Sequence, residues 1–308
     1  MDGSGHVADR VHPVELRRRS VPLGAWRRLG AFLKVGAVDL RSQFVRPARL
    51  EAVLGWAGVG VPLATIAVLG VLPLPGGIEA GMLLCMPAPP VGSAASMAAM
   101  LGLNPALALT CTVVHSLLSP LLLPPAAAAL GAVELHIDAA LLTLRLGLVV
   151  MGAAALSAAL RRCANDFVRH SAHAMTGDSV LGLLVVAIGA MRGMQPQVLL
   201  HGRDVVSAPA AAFALNLGFQ AVGAMLFARL GVTDTLTVGL VSGNRNVTLV
   251  WAAAAPWLAH APDVELFLAA SVFPIFMLPL PMSRLLAWRD TRLARKCATD
   301  SVAATVHP

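Results

Sequence analysis

The residues best placed to do chemistry are Ser242, Asn244, Arg245 and Asn246, in the run Ser242-Gly243-Asn244-Arg245-Asn246 inside the otherwise apolar stretch 235–257. An arginine at the centre of a membrane-length segment costs several kcal/mol unless it faces a cavity or a partner. Its planar fork of donors matches a carboxylate or another oxyanion. No Asp or Glu lies centrally in any apolar stretch; Glu79, Asp138, Asp178, Asp204, Asp234 and Glu265 all sit at the ends. The expected counter-charge of Arg245 is therefore a small organic anion, with pairing to backbone carbonyls as the competing arrangement. A second interruption, Pro87-Ala88-Pro89-Pro90, falls within 78–102 and is followed by Ser93 and Ser96. Such breaks free carbonyls and amides at bilayer depth, which is tolerable only in a protein-enclosed cavity, and a pair of them points to a transporter's binding site. Half-helix ends there add partial positive charge at N-termini and partial negative charge at C-termini. Ser93, Ser96, Ser242, Asn244, Arg245 and Asn246 are the expected substrate-binding residues. For Asn244 and Asn246 the competing role is to satisfy each other's backbone breaks.

These residues must be carried by helices that cross a membrane. The chain has 308 residues, 57% of them hydrophobic and 13% charged, against roughly a quarter charged in a soluble domain. Eight stretches are long enough to span a hydrocarbon core of roughly 30 Å: 52–72, 78–102, 105–130, 139–160, 179–197, 205–229, 235–257 and 265–288. The expected fold is all-α, a polytopic bundle of about eight spans. Ten of the 23 Lys and Arg lie in residues 1–49, and Arg161, Arg162, Arg169, Arg229, Arg284, Arg289, Arg292, Arg295 and Lys296 fall on the same side of an eight-span chain. Only Arg203 falls between spans on the other side. The positive-inside rule then places both termini in the cytoplasm and the protein in the plasma (inner) membrane. The formal net charge of +7 is accounted for by a basic face on anionic lipid, so nucleic acid is not an expected partner.

The chain divides into a basic N-terminal segment (1–50), a transmembrane region (51–290) and a tail (291–308). Within the first, Trp26, Leu29 and Leu33 share one helical face opposite Arg27, Arg28 and Lys34, suiting 23–34 to the membrane interface. Residues 1–20 show no apolar core of a cleavable signal. Cys85, Cys111, Cys163 and Cys297 have neither metal-type nor redox-type spacing, and disulfides are not expected. Trp56, Trp257 and Trp288 are read as interfacial. A broken stretch followed by a Ser/Pro-rich one occurs twice, about 150 residues apart: 78–102 precedes Ser116 to Pro124, and 235–257 precedes Ser271 to Pro279. The two run in opposite directions across the membrane, as an inverted repeat requires.

Other polar residues are weaker candidates. His115 is a candidate proton relay, with a hydrogen-bonded structural role as the alternative. Arg145 and Arg192 either snorkel to the interface or face a crevice. Asn216 and Gln220, at i and i+4, suit interhelical hydrogen bonds, and Gly218 and Gly223 suit packing. Catalysis is not expected: no phosphate loop, metal cluster or nucleophile with a base is present, and Ser116 beside His115 points to a different helix face.

The run from Leu84 through Ser96, with Leu107 to Thr112 and Ser119 to Pro125, resembles the fourth and fifth helices of the bile acid:sodium symporter family. Val241-Ser242-Gly243-Asn244-Arg245-Asn246-Val247 is similar to that family's ninth-helix signature, and Gly36 to Arg41 with Arg46-Pro47 to the cytoplasmic end of its second helix. The likeness covers roughly 35–290. It implies two inverted repeats, a core (here 52–130 and 205–288) rocking against a panel (here only 139–197), and two discontinuous helices that cross. The first helix and most of the second have no counterpart, so the chain is either truncated or misassigned at its start, or a shortened form. The implied function is secondary transport of a small organic anion; the alternative is a non-transporting truncated protein or scaffold of the same fold. Positions that ligate sodium in the family align with Ala94, Ala95, Ala108, Thr112, Val241 and Arg245, and Ala57 stands where a Gln is expected. Only Thr112 keeps an oxygen, which argues against sodium coupling, since a hard cation needs several oxygen ligands. Two routes stay open: freed carbonyls with Ser93, Ser96, Ser242 and Thr112 hold sodium, or the fixed charge of Arg245 replaces it. No other cofactor or metal is expected.

Overall fold

The computed structural model describes residues 43, 47–72, 74–129, 137–163, 204–284 and 286. The interfacial helix expected at 23–34, the fifth stretch with Arg192, and the tail from 291 lie outside them. The described residues are helical, with one isolated β-bridge and no strand. In chain order the elements are α1 (Pro47–Gly55), a π-helical turn (Trp56–Gly60), α2 (Val61–Val71), α3 (Gly76–Cys85), α4 (Ala94–Met100), α5 (Pro105–Ala129), α6 (Ala139–Cys163), α7 (Asp204–Leu226), α8 (Val232–Gly243), α9 (Val247–Leu258), α10 (Pro262–Ala270) and α11 (Val272–Met277).

Five continuous helices are long and apolar enough to cross a membrane: Pro47–Val71, Pro105–Ala128, Ala139–Leu156, Val206–Leu226 and Pro262–Arg284. They leave large apolar side chains exposed on their outer faces, including Leu63, Leu121, Leu144, Leu148 and Met225. Such a surface is stable against acyl chains and not against water, and the protein is an integral membrane protein. The stretches 78–102 and 235–257 are not continuous helices. Each is a pair of short ones, α3 with α4 and α8 with α9.

Proline explains the first discontinuity. Pro87, Pro89 and Pro90 have no amide hydrogen, so the ladder of α3 stops at Met86, whose N–H still reaches Met82. The 25-residue α5 absorbs three prolines, Pro120, Pro124 and Pro125. The Ser116 carbonyl, which a non-proline residue 120 would have capped, accepts instead from the Ser119 hydroxyl at 2.8 Å. Pro62 acts on the first helix. The Val61 N–H bonds Trp56 O, five residues back, and Pro62 has no N–H to offer the next carbonyl, so Ala57 O has no donor within its own helix.

Helix packing is set by small residues. A Cβ on Gly239 would stand 2.6 Å from the backbone oxygen of Gln220, and one on Gly243 would collide with that of Asn216. The pair lets α8 lie directly on α7, the close approach that small-xxx-small spacing permits. Gly81 gives the same access to Phe267, which is fully buried between α3 and α10. The start of α1, the α4–α5 turn and the start of α8 meet at one end of the bundle: Arg49 pairs with Asp234 at 2.5 Å, and Asn104 donates to Asp234 at 2.7 Å. The starts of α3 and α10 meet at the other, where Gly77 lies against Asp263.

Two sequence readings are corrected here. The first helix begins at Pro47. That puts Trp56 near the middle of a 25-residue helix, and its indole serves an internal hydrogen bond, not the interface. Gly218 has open space beside it and packs against nothing, whereas Gly223 lies against Ser242 and Trp56.

Candidate functional site

The two discontinuities meet and repair each other. Val91 donates its N–H to Asn244 O at 2.9 Å, and Asn246 donates to Pro89 O at 2.8 Å, forming an antiparallel bridge between Pro90 and Arg245. Proline-rich backbone offers acceptors without competing donors, so Pro89 O is free for an amide from the other break. The ends of α3, α4, α8 and α9 are thereby brought to one point.

The side chains of the second break take separate tasks. Asn246 caps α9, its Oδ1 accepting from Leu249 N–H at 3.1 Å and from Thr248 Oγ1 at 2.7 Å. Asn244 Oδ1 accepts from Asn216 Nδ2 at 2.9 Å, and the same Nδ2 donates to Gly243 O at 3.0 Å. Gln220 Nε2 donates to Asn216 Oδ1 at 2.6 Å and holds that amide in place. Asn244 and Asn246 therefore do not satisfy each other; α7 reaches across to the end of α8 instead. Ser242 donates to Val238 O at 2.7 Å and accepts from the Trp56 indole at 2.9 Å.

Arg245 is 1% exposed. Its Nη2 donates to Ala57 O at 2.9 Å and its Nη1 to Ala88 O at 3.2 Å. Ala57 O is left out of its ladder by Pro62, and Ala88 O lies in the break between α3 and α4. In this conformation the fork expected to grip a ligand is spent on backbone, because the π-turn and the proline break aim two orphan carbonyls at the same point. Among the described residues, Arg245 Nε and Asn244 Nδ2 are buried donors without a partner. A cavity of about 10 Å³ beside Arg245, lined also by Asn216, Gly243 and Ser271, is about the size of one water molecule.

The remaining candidates are placed less centrally. Ser93 and Ser96 are half-buried at the start of α4, and Ser93 Oγ has no partner among the described residues. Thr112 spends its hydroxyl on Ala108 O of its own helix at 2.9 Å. His115 is buried with Nδ1 at 2.9 Å from Cys111 O and Nε2 at 3.0 Å from Leu54 O, tying α5 to α1. Both neighbours are backbone carbonyls, so the described contacts give its proton no titratable group to pass to. Arg145 is half-buried on α6. The described residues hold no cluster of His, Cys, Asp or Glu able to bind a metal.

Sequence reasoning missed the π-turn and the part that Trp56 and Ala57 play in the site. The available signal was the spacing Gly55, Gly58, Gly60, Pro62, which removes steric bulk and one amide from adjacent turns. The chain matches no protein-family model and no curated protein.

Proposed function

We propose that the chain is a secondary transporter of the bile acid:sodium symporter type that moves a small organic anion across the plasma membrane. The observation that carries this reading is the reciprocal pairing of the two helix breaks, Val91 with Asn244 and Asn246 with Pro89. Paired half-helix ends at bilayer depth are expensive to maintain and recur where transporters bind solutes. Two contacts support reading the chain as an inverted repeat: α3 lies on α10, which follows the second break, and α8 lies on α5, which follows the first.

Among the described residues, the void beside Arg245 measures about 10 Å³, far below the roughly 300 Å³ at which ligand pockets begin, so binding an anion there requires the crossing helices to move apart. Asn244 Nδ2 and Arg245 Nε are the buried donors such an opening would present. Of the hydroxyls considered for sodium, Ser242 Oγ already accepts the Trp56 indole N–H at 2.9 Å, which leaves it a single lone pair for a cation and supports a carrier without sodium coupling.

The test is counterflow. Proteoliposomes loaded with a series of carboxylates and sulfonates should show saturable exchange of labelled anion, undiminished when choline replaces sodium. A folded, thermally stable protein that exchanges none of them overturns the proposal and leaves a scaffold of the same architecture.

A further inference from the structure

We propose that Asn216, braced by Gln220, is a positioning residue for an anion in the crossing: it turns the Asn244 amide so that Nδ2 stays a free donor, and the site thereby takes ionised oxyanions in preference to neutral compounds of the same shape.

A side-chain amide can present either end, but this chain of amides has a fixed origin. The Gly243 carbonyl at the end of α8 finds no donor in its own helix, because Asn246 N–H bonds Pro89 O and Val247 N–H bonds Arg245 O. Asn216 Nδ2 fills that place at 3.0 Å. A carbonyl only accepts, so Asn216 must turn its nitrogen toward α8 and its oxygen away. That oxygen takes Gln220 Nε2 at 2.6 Å, one turn along α7, and Asn216 Nδ2 also donates to Asn244 Oδ1 at 2.9 Å. All three amide side chains are buried, so water does not compete for these bonds. With its oxygen engaged, Asn244 keeps only Nδ2, which is buried without a partner, as is Nε of the adjacent Arg245. The small cavity beside Arg245 is also lined by Asn216 and Gly243, so the amide chain borders the space that opening would enlarge. The unpartnered atoms of this break are both donors, one of them on a cation. A carboxylate offers two oxygens that only accept, whereas an amide of the same shape brings N–H groups that neither donor can satisfy. Sites built around buried hydrogen-bonding groups discriminate strongly against analogues that leave those groups unpaired.

This role rests on the reading that an anion meets Asn244 and Arg245 in the crossing, and it is read out by binding, apart from transport. Purified protein is melted with increasing formate, the smallest carboxylate, or formamide, its neutral counterpart, in a constant choline chloride background. Wild type should rise by roughly 3 °C at about tenfold excess of formate over Kd and should not respond to formamide. Asn216→Leu frees the Asn244 amide to turn over, and should bind formate about tenfold more weakly and lose the preference over formamide. Gln220→Met leaves the bond to Gly243 O, and should lower the formate preference by only about threefold. A lower melting temperature alone, with the preference for formate unchanged in folded Asn216→Leu, overturns the proposal and leaves the anion reading standing. Should Asn216→Leu not fold, Gln220→Met decides, and an unchanged preference there overturns the proposal as well. A wild type that ignores formate removes the anion reading and this role together, whereas a formate response without counterflow removes only the carrier.

Discussion

Arg245 spends its charge on the chain's own backbone, and the residues around it differ in how much each holds. Trp56 and Asn216 allow a comparison. Trp56→Phe removes one hydrogen bond to Ser242, whose hydroxyl stays bonded to Val238 O, and should cost about 1 kcal/mol. Asn216→Ala removes two donors from the end of α8 and strands the Gln220 amide. It should cost about 2–4 kcal/mol, because buried groups on both helices lose their partners. Chemical denaturation in detergent should rank the two in that order; equal losses would mean that Asn216 does not hold the break. The importance of Asn244, Arg245 and Asn246 was legible in the sequence, since amides and a guanidinium in an apolar stretch demand partners. Their partners were not legible, because Ala57 and Ala88 act through carbonyls that every residue possesses.

At the scale of elements, proline and glycine decide the shape. Prolines remove amide donors, which breaks the helix after Cys85 and orphans Ala57 O, and glycines let backbone touch backbone. Gly239→Val should cost about 1–3 kcal/mol or more, because its Cβ meets the Gln220 carbonyl at 2.6 Å and that oxygen moves only if α7 moves. Gly218→Ala on the same α7–α8 unit has nothing within 4 Å of its Cβ. It should be neutral or raise stability by up to about 1 kcal/mol through helix propensity. Thermal melts of the two variants check the contrast, and a destabilised Gly218→Ala would contradict the packing described. The broken stretches were readable from Pro87 to Pro90 and from Ser242 to Asn246. The π-turn was not, since glycines at 55, 58 and 60 are compatible with an ordinary helix until Val61 N–H is seen to bond Trp56 O.

Across the whole molecule, the bundle has two ends with distinct membership, which makes orientation measurable. Ala48 and Thr233 are exposed at the end where Arg49 meets Asp234, and Glu79 and Asp263 are exposed at the other. In a background with the native cysteines replaced, cysteines at 48 and 233 should react with an impermeant maleimide only from the cytoplasmic side, and those at 79 and 263 only from outside. Reversal would overturn the orientation, and a split within either pair would contradict the fold. From composition and order alone, the sequence determined that this is a helical membrane protein with two interrupted crossings. Apolar length, missing proline amides and the cost of charge in lipid are local properties that need no knowledge of neighbours. Only the tertiary structure decided that the two interruptions bond to each other, and that Arg245 ends on carbonyls from residues 57 and 88. Those pairings join segments up to 188 residues apart, and a backbone carbonyl carries no side-chain mark by which a distant donor could be matched to it in advance.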